Sequence, residues 1–172
     1  MEKYTLSMRI MHWIMAILII SLLCVGLYIA NTEPHDEEWR NILLMHKSFG
    51  ILALLLVMLR LAIRLGSYVP ELPPQINHRD VALHNWTVFF LYVFMFVMPI
   101  AGYVMSIAHG NTVEFFGMPL PALIEKNTQV ASIAHTIHVN AWYFLIGLIV
   151  LHLAGNTKHY IVEKVNLLQR IW

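Results

Sequence analysis

The sequence predicts an all-α fold: an integral membrane four-helix bundle with both chain termini on the cytoplasmic side. Three observations predict it. Hydrophobic residues make up 59% of the chain and charged residues only 12%, the apolar residues fall in four long runs, and polar or proline-rich segments separate those runs. Each run reaches the roughly 20 residues that cross a hydrocarbon core of about 30 Å. This composition excludes an ordinary soluble domain.

The first predicted span covers residues 10–30 and follows Lys3 and Arg9. A positive start before an apolar run is also typical of a secretory signal. This run is too long for one, however, and no small-x-small cleavage site follows it. We therefore expect a retained span, which ends at the acidic segment "NTEPHDEEWRN", residues 31–41.

The second and third predicted spans, residues 42–65 and 81–108, flank a proline-rich connection at 66–80. Proline has no backbone N–H and cannot continue a helix, so this connection is a loop. A longer loop at 109–130 contains two glycines and two prolines, and the fourth span follows at 133–159. The closing "EKVNLLQRIW" predicts an interfacial amphipathic tail.

Lysine and arginine are distributed unequally between the two predicted faces of the membrane. Eight lie on the side of the termini and three on the opposite side. Positive residues favour the cytoplasmic side, so we expect the termini inside and the first and third loops outside. The eight are Lys3, Arg9, Arg60, Arg64, Arg79, Lys158, Lys164 and Arg170, and the three are Arg40, Lys47 and Lys126.

Histidines within the apolar spans are the main functional signal. In "HVNAWYFLIGLIVLH", His138 and His152 enclose a run without charge. Fourteen residues are almost four helical turns, so the two imidazoles share one helix face and lie about 21 Å apart. Lipid offers ring nitrogens no partner, and intramembrane histidines are therefore usually functional. For one such residue alone, an interhelical hydrogen bond is an equal alternative.

Membrane depth pairs these histidines with two others. His12 lies early in span one, which starts inside, and pairs with His152; His46 lies early in span two, which starts outside, and pairs with His138. Two imidazoles from different helices at one level form the axial clamp of a b-type haem. Cys24 is the only cysteine, which excludes CxxCH haem attachment and a cysteine-ligated iron–sulfur cluster.

Small and aromatic residues near the histidines are candidates for contact with the macrocycle. Gly50 lies one turn after His46, and Gly147 lies between the two levels on span four. Both would allow a porphyrin to approach the helix backbone, although close packing of membrane helices through small residues is the alternative. Trp142 lies one turn from His138 and could pack on the macrocycle, besides acting as an interface anchor.

Cations near the membrane faces are candidate partners of haem propionates. Arg and Lys at helix ends also snorkel towards water without any ligand, which is the alternative interpretation. The candidates are Arg9, Lys47, Arg60 and Arg64.

His159 lies two turns after His152 on the same helix face, at the predicted cytoplasmic rim. A quinone that is reduced there must take up protons, and a rim histidine can donate them. A solvated helix-end residue is the alternative interpretation. For the other histidines an interfacial position is the favoured interpretation; they are His35, His78, His84, His109 and His135.

The segments "RIMHW", "LLMHKSFGILALLLVMLRLAIRL", "HVNAWYFLIGLIVLH" and "KHY" together resemble the bacterial di-haem cytochrome b561 family, over essentially the whole chain. The resemblance implies one di-haem domain, residues 1–172, in the bacterial inner membrane. It implies that His12 and His152 hold the inner haem b and that His46 and His138 hold the outer one. It also places His159 near a cytoplasmic ubiquinone site. A superoxide oxidase of this family passes electrons from periplasmic superoxide to ubiquinone.

One feature departs from that pattern, because the first outer loop is acidic. It carries Glu33, Asp36, Glu37 and Glu38 against Arg40, whereas a cationic field steers an anionic substrate. An alternative is therefore a cytochrome b subunit that links a soluble dehydrogenase, a hydrogenase or a periplasmic c-type cytochrome to quinone. A second alternative is a colourless, non-redox protein that binds or transports a metal such as zinc or nickel.

Overall fold

The computed structural model describes residues 2–34 and 36–172, so that His35 lies outside the described residues. Four helices dominate it, and each is long and apolar enough to cross a membrane. The predicted all-α architecture with four spans is therefore confirmed. The helices are α1 (Leu6–Asn31), α2 (Glu37–Gly66), α3 (His78–Ala108) and α4 (Thr128–Ile161).

Each helix begins three to five residues before the apolar run that predicted it. A polar N-cap explains the difference, since its side-chain oxygen accepts a hydrogen bond from a backbone N–H of the first turn and starts the helix in polar sequence. Hydropathy therefore marked the apolar part of each helix rather than its beginning. The caps are Thr5, Asp36, Asn77 and Asn127.

Helices that are consecutive in sequence pack on one another, with α3 and α4 in the most extensive contact. Over the described residues, α1 and α4 have no comparable backbone packing. The buried core between helices centres on Met11, Met15 and Val57. The space between α1 and α4 is therefore available for larger groups.

Large apolar side chains also cover the outside of the bundle. Ile17, Phe144 and Val150 are each at least 60% exposed. A soluble protein rarely exposes apolar surface on this scale. The outer faces of the helices are accordingly suited to lipid.

Both ends of the chain meet at one end of the bundle, which we call the terminal end. The Tyr4 N–H donates to the Arg170 carbonyl at 3.0 Å. The segment predicted to be an amphipathic tail contains a short 3₁₀ helix, Leu167–Arg170, which packs on the bundle through the buried residues Leu167 and Arg170. A small buried cluster supports this arrangement; its members are Ile76, Val165 and Leu167.

The opposite end, which we call the hairpin end, carries a two-stranded antiparallel hairpin within the long loop. Phe116 (φ 51°) and Gly117 (φ 84°) form its turn, and two consecutive positive φ values are typical of a type I′ turn. Ser48 of α2 anchors the hairpin: its hydroxyl donates to the Glu114 carbonyl and accepts from the Phe116 N–H. The strands are β1 (Glu114–Phe115) and β2 (Met118–Pro119).

Candidate functional site

The four intramembrane histidines singled out by depth form two pairs. Near the terminal end, the ring centroids of His12 on α1 and His152 on α4 are 6.5 Å apart. Towards the hairpin end, the centroids of His46 on α2 and His138 on α4 are also 6.5 Å apart. Helix α4 thus contributes one imidazole at each level.

Each pair lines a cavity. We call His46 and His138 the outer pair and His12 and His152 the inner pair. The outer cavity, at the outer pair, measures about 450 Å³, and the inner cavity, at the inner pair, measures about 290 Å³. Cofactor pockets are mostly apolar clefts of roughly 300–1,000 Å³ with a few polar groups. Both cavities fit this description, because aliphatic and aromatic side chains form most of their walls.

The separation within each pair fits a metal ion held between two imidazoles. A metal–imidazole bond of about 2.0 Å on each side, plus the distance from each nitrogen to its ring centre, separates the centroids by roughly 6 Å. The rings themselves are too far apart to hydrogen-bond directly across that gap.

The protein leaves ring nitrogens of the outer pair available for such an ion. His138 donates from Nδ1 to the Met98 carbonyl at 2.8 Å. Such a bond holds the proton on Nδ1 and leaves the Nε2 lone pair for a metal. The Nδ1 of His46 is buried without a hydrogen-bond partner. A buried polar atom of this kind is rarely left unsatisfied in a complete site.

Polar neighbours engage the inner pair more closely. The Arg60 guanidinium lies 3.0 Å from His12 Nδ1 and also donates to the Tyr92 hydroxyl at 3.1 Å. The amide of Asn156 lies 3.4 Å from His152 Nε2. A His12 that ligates iron through Nε2 carries its proton on Nδ1, so Arg60 then has to turn to another acceptor, such as a propionate.

Two glycines that were not singled out from the sequence form the cradle of the outer pair. A Cβ at Gly102 would lie 2.9 Å from Cε1 of His138, and a Cβ at Gly26 would lie 3.3 Å from Cε1 of His46. At Gly50, which lines the outer cavity, a Cβ would meet no atom within 4 Å. The same holds at Gly147, which lines neither the outer nor the inner cavity.

Of the four candidate propionate partners, three line one of the two cavities and one lines neither. Lys47 lines the outer cavity, while Arg60 and Arg64 line the inner one. Arg9 lines neither, and its Nε is buried without a hydrogen-bond partner. The spacing of basic residues in sequence therefore predicted a cation near each level but did not separate Arg9 from the arginines of α2.

Trp142 also lines the outer cavity. Its indole N–H donates to the Leu23 carbonyl of α1 at 3.1 Å. The bond joins the indole on α4 to the backbone of α1 at the wall of this cavity. His135 lines the same cavity, although an interfacial position was the favoured interpretation of this residue.

Among the described residues, mostly apolar side chains line the space between the two levels. A small cavity of about 50 Å³ lies between them, and His46 and His138 line it. It shares part of its lining with the inner cavity; the shared residues are Met15, Ile19, Met95 and Leu145. The two candidate cofactor sites are therefore neighbours across a dry, low-dielectric layer.

His84 of α3 belongs to the inner site, although the sequence favoured an interfacial position. Its ring centroid lies 6.4 Å from that of His152, which is as close as His12. It also lines the inner cavity. Hydropathy did not distinguish His84 from an interfacial residue, because position 84 lies only three residues after the start of the predicted third span.

His159 is 5% exposed, so it is a buried residue rather than a solvated helix end. It lines a cavity of about 60 Å³ between α3 and α4, together with His84, His152 and Asp80. Its Nδ1 hydrogen-bonds the Glu163 carboxylate. His159 therefore shares a cavity with His152 of the inner pair, and its hydrogen-bond partner Glu163 is partly exposed to solvent.

Four membrane-spanning helices with paired imidazoles at two depths have the architecture of a membrane cytochrome b. The chain matches the family model described as prokaryotic cytochrome b561 over residues 3–172. It belongs to this family. Membership implies haem b as a cofactor, electron transfer in a multi-pass bacterial membrane protein, and contact with lipid and redox partners.

Two relatives extend over nearly the whole chain. One is cytochrome b561 homolog 2 of Escherichia coli (strain K12), 26% identical over 171 residues, which are 99% of this chain and 91% of the relative. The other is the probable superoxide oxidase CybB of Yersinia pestis, 26% identical over 174 residues, which are 99% of this chain and 96% of the relative.

Proposed function

We propose that residues 1–172 form a single domain that holds two haem b groups. In this proposal His46 and His138 hold the outer group, and His12 and His152 hold the inner one. The equal ring separations and the flanking cavities support it. Each group would supply one-electron chemistry, and a pair of imidazoles that held its iron would favour outer-sphere electron transfer over oxygen binding.

The proposed reaction is the oxidation of superoxide at the hairpin end, coupled to the reduction of ubiquinone at the terminal end. The positive-inside rule places the hairpin end in the periplasm and the termini in the cytoplasm of an inner-membrane protein. The dry layer between the two levels suits a short electron path. Membership in a family with a probable superoxide oxidase supports the choice of donor.

The single observation that carries this proposal is the position of Lys47 beside the outer pair. Lys47 follows the candidate ligand His46 on α2 and lines the same cavity. A cation that lines an apolar cavity raises the local concentration of an anion such as superoxide. The side chain can therefore attract the substrate to the edge of the outer site.

The acidic outer loop has a local structural role that weakens the argument against superoxide. Asp36 is the N-cap of α2 and accepts from the Trp39 N–H at 2.8 Å. Glu37 and Glu38 occupy the first turn of that helix, where carboxylates stabilise the positive end of the helix dipole. Helix initiation therefore accounts for three of the four acidic residues in this loop.

Absorbance of the haem α-band tests the proposal directly. We expect enzymatically generated superoxide to reduce the purified protein, superoxide dismutase to prevent that reduction, and a short-chain ubiquinone to reverse it. A band that superoxide leaves oxidised would refute the donor. A preparation without any haem band would refute this function and the electron-transfer subunit alike, and would favour the metal-binding or metal-transport alternative.

The variant Lys47→Gln tests the role assigned to the cation. We expect its reduction by superoxide to slow several-fold, and the rate of the unmodified protein to fall with ionic strength while that of the variant changes less. Reduction by dithionite and haem content should be equal in the two proteins. Equal superoxide rates at low salt would contradict the role of Lys47.

A second candidate is an electron-transfer subunit that receives electrons from a protein at the hairpin end. Exposed apolar side chains in the loop favour it, since Phe116 is 46%, Met118 61% and Leu123 73% exposed. Apolar surface outside the spans is typical of protein contact sites. A stably co-purifying redox polypeptide, together with a haem band that is inert to superoxide, would support this candidate over the first.

A further inference from the structure

We infer that Glu163 is a positioning residue for proton delivery by His159, an inference that rests on the proposed reduction of quinone at the terminal end. Glu163 lies just beyond α4, and its side chain returns to the buried face of that helix. Its carboxylate hydrogen-bonds Nδ1 of His159. The His159 side chain is 6% exposed and that of Glu163 is 17% exposed.

The end of α4 produces this return. The Val162 N–H donates to the Lys158 carbonyl at 2.8 Å, and the Val165 N–H donates to the His159 carbonyl at 2.9 Å. Between them Lys164 adopts φ 58°, a left-handed conformation that ends helices and that residues other than glycine adopt infrequently. The chain therefore reverses immediately after Glu163, which keeps that residue over the last turn of the helix.

Two neighbouring side chains hold the carboxylate in place. One of its oxygens contacts His159, and the other, Oε1, lies 3.6 Å from Nζ of Lys158. Lys158 in turn donates to Asp80 of α3 at 2.6 Å. The ion pairs thus connect the exposed edge of α3 and α4 to a buried imidazole.

The cavity next to His159 is polar on several sides. The titratable or charged groups that line it are Asp80 and His84 from α3 and His152, Lys158 and His159 from α4. The 3₁₀ helix contributes Arg170 to this end of the bundle, but its guanidinium is committed to the Pro70 and Glu71 carbonyls. Among the described residues, Glu163 is the carboxylate that hydrogen-bonds His159.

This arrangement assigns a role to each ring nitrogen. Because Glu163 holds Nδ1, Nε2 is the ring atom that remains to donate a proton. The carboxylate also fixes the orientation of the ring, as a carboxylate does beside a catalytic histidine. A quinone that receives two electrons from the reduced cytochrome takes up two protons to become a quinol. Each proton leaves Nε2, and water at the terminal end replaces it.

The test follows the reoxidation of pre-reduced protein by a short-chain ubiquinone, with Glu163→Gln compared against Glu71→Gln. Glu71 is an exposed acid at the same end of the bundle, so this control removes the same charge away from His159. We expect Glu163→Gln to lower kcat roughly 10- to 100-fold, with little change in KM. This loss is no larger than the contribution of a general acid itself, because Glu163 only positions that acid. Glu163→Asp should restore part of the rate.

A double variant separates positioning from a purely structural role. His159→Gln combined with Glu163→Gln should lose no more than His159→Gln alone, since Glu163 acts through His159. Quinone binding without turnover, measured by fluorescence quenching, should be unchanged.

Each other outcome is decisive. A loss that is additive with that of His159→Gln would overturn the positioning role, as would rates equal to those of the unmodified protein. If the unmodified protein itself is not reoxidised by quinone, the proposed function fails rather than this inference.

Discussion

At the scale of single residues, the outer site depends on the absence of a side chain. Gly102 leaves room for the His138 imidazole, because a Cβ there would lie 2.9 Å from Cε1 of the ring. The neighbouring bond from His138 to the Met98 carbonyl prevents the ring from moving freely. Small residues at helix contacts usually serve packing in general, but here one serves a particular imidazole.

We predict that Gly102→Ala loses most of the outer haem while the inner one is retained. The added methyl group displaces His138 from its hydrogen bond and from the cavity. The measurement is haem content per chain, by the pyridine haemochrome spectrum. Gly147→Ala is the matched control, since a Cβ there meets nothing within 4 Å, and it should keep full haem content and equal or higher thermal stability.

The inner site contains three histidines, His12, His84 and His152, and either His12 or His84 could pair with His152. We expect His12→Ala to lose the inner haem and His84→Ala to retain it, because depth pairs His12 rather than His84 with His152. Low-temperature α-band spectra resolve the two haems. Loss of the inner haem in His84→Ala, with retention in His12→Ala, would reassign the ligand to α3.

At the scale of elements, the C-terminal 3₁₀ helix acts as a strap across the inner cavity. Arg170 is 2% exposed and donates to the carbonyls of Pro70 and Glu71. The Trp13 indole N–H donates to the Ile171 carbonyl at 2.9 Å. Residues of this segment line the inner cavity, so the strap separates the inner site from water.

We predict that Arg170→Ala destabilises the protein and exposes the inner site. The change leaves the buried Pro70 carbonyl without its donor, at a cost of about 1–3 kcal/mol for an unsatisfied buried group. Tm should fall, and the inner haem should become more accessible to a water-soluble reductant. Gln169→Ala is the control, since that side chain is exposed. An unchanged Tm in Arg170→Ala would show that the strap contributes little.

At the scale of the whole molecule, the distribution of positive charge predicts the orientation. The contacts of Tyr4 with Arg170 place both termini at one end of the bundle. The lysines and arginines concentrated at that end predict that it faces the cytoplasm. The outer pair and Lys47 then face the periplasm.

Cysteine labelling tests this orientation. In a Cys24→Ser background, which has no other thiol, we expect Glu125→Cys to react with a membrane-impermeant maleimide in intact spheroplasts. Gln169→Cys should react only after permeabilisation. The reverse pattern would invert the orientation and place the proposed superoxide site in the cytoplasm.

The sequence by itself determined the class of fold, the four spans and the two levels of histidine. These features depend on local chain physics: the run length needed to cross lipid, the 3.6-residue period and the cost of an imidazole in hydrocarbon. The pairs His12 with His152 and His46 with His138 followed from depth alone, since two helices that cross one membrane share its levels.

Only the tertiary structure decided which residues surround each level. Gly102, Gly26 and His84 come to the sites through the packing of helices, and no period along one helix reports which neighbour it meets. The bond between Glu163 and His159 likewise depends on a chain reversal at Lys164. Lysine is not a residue that typically adopts a positive φ, so the sequence does not predict this reversal. Contacts between elements arise from side-chain fit in three dimensions, and that information is absent from the pattern of any single segment.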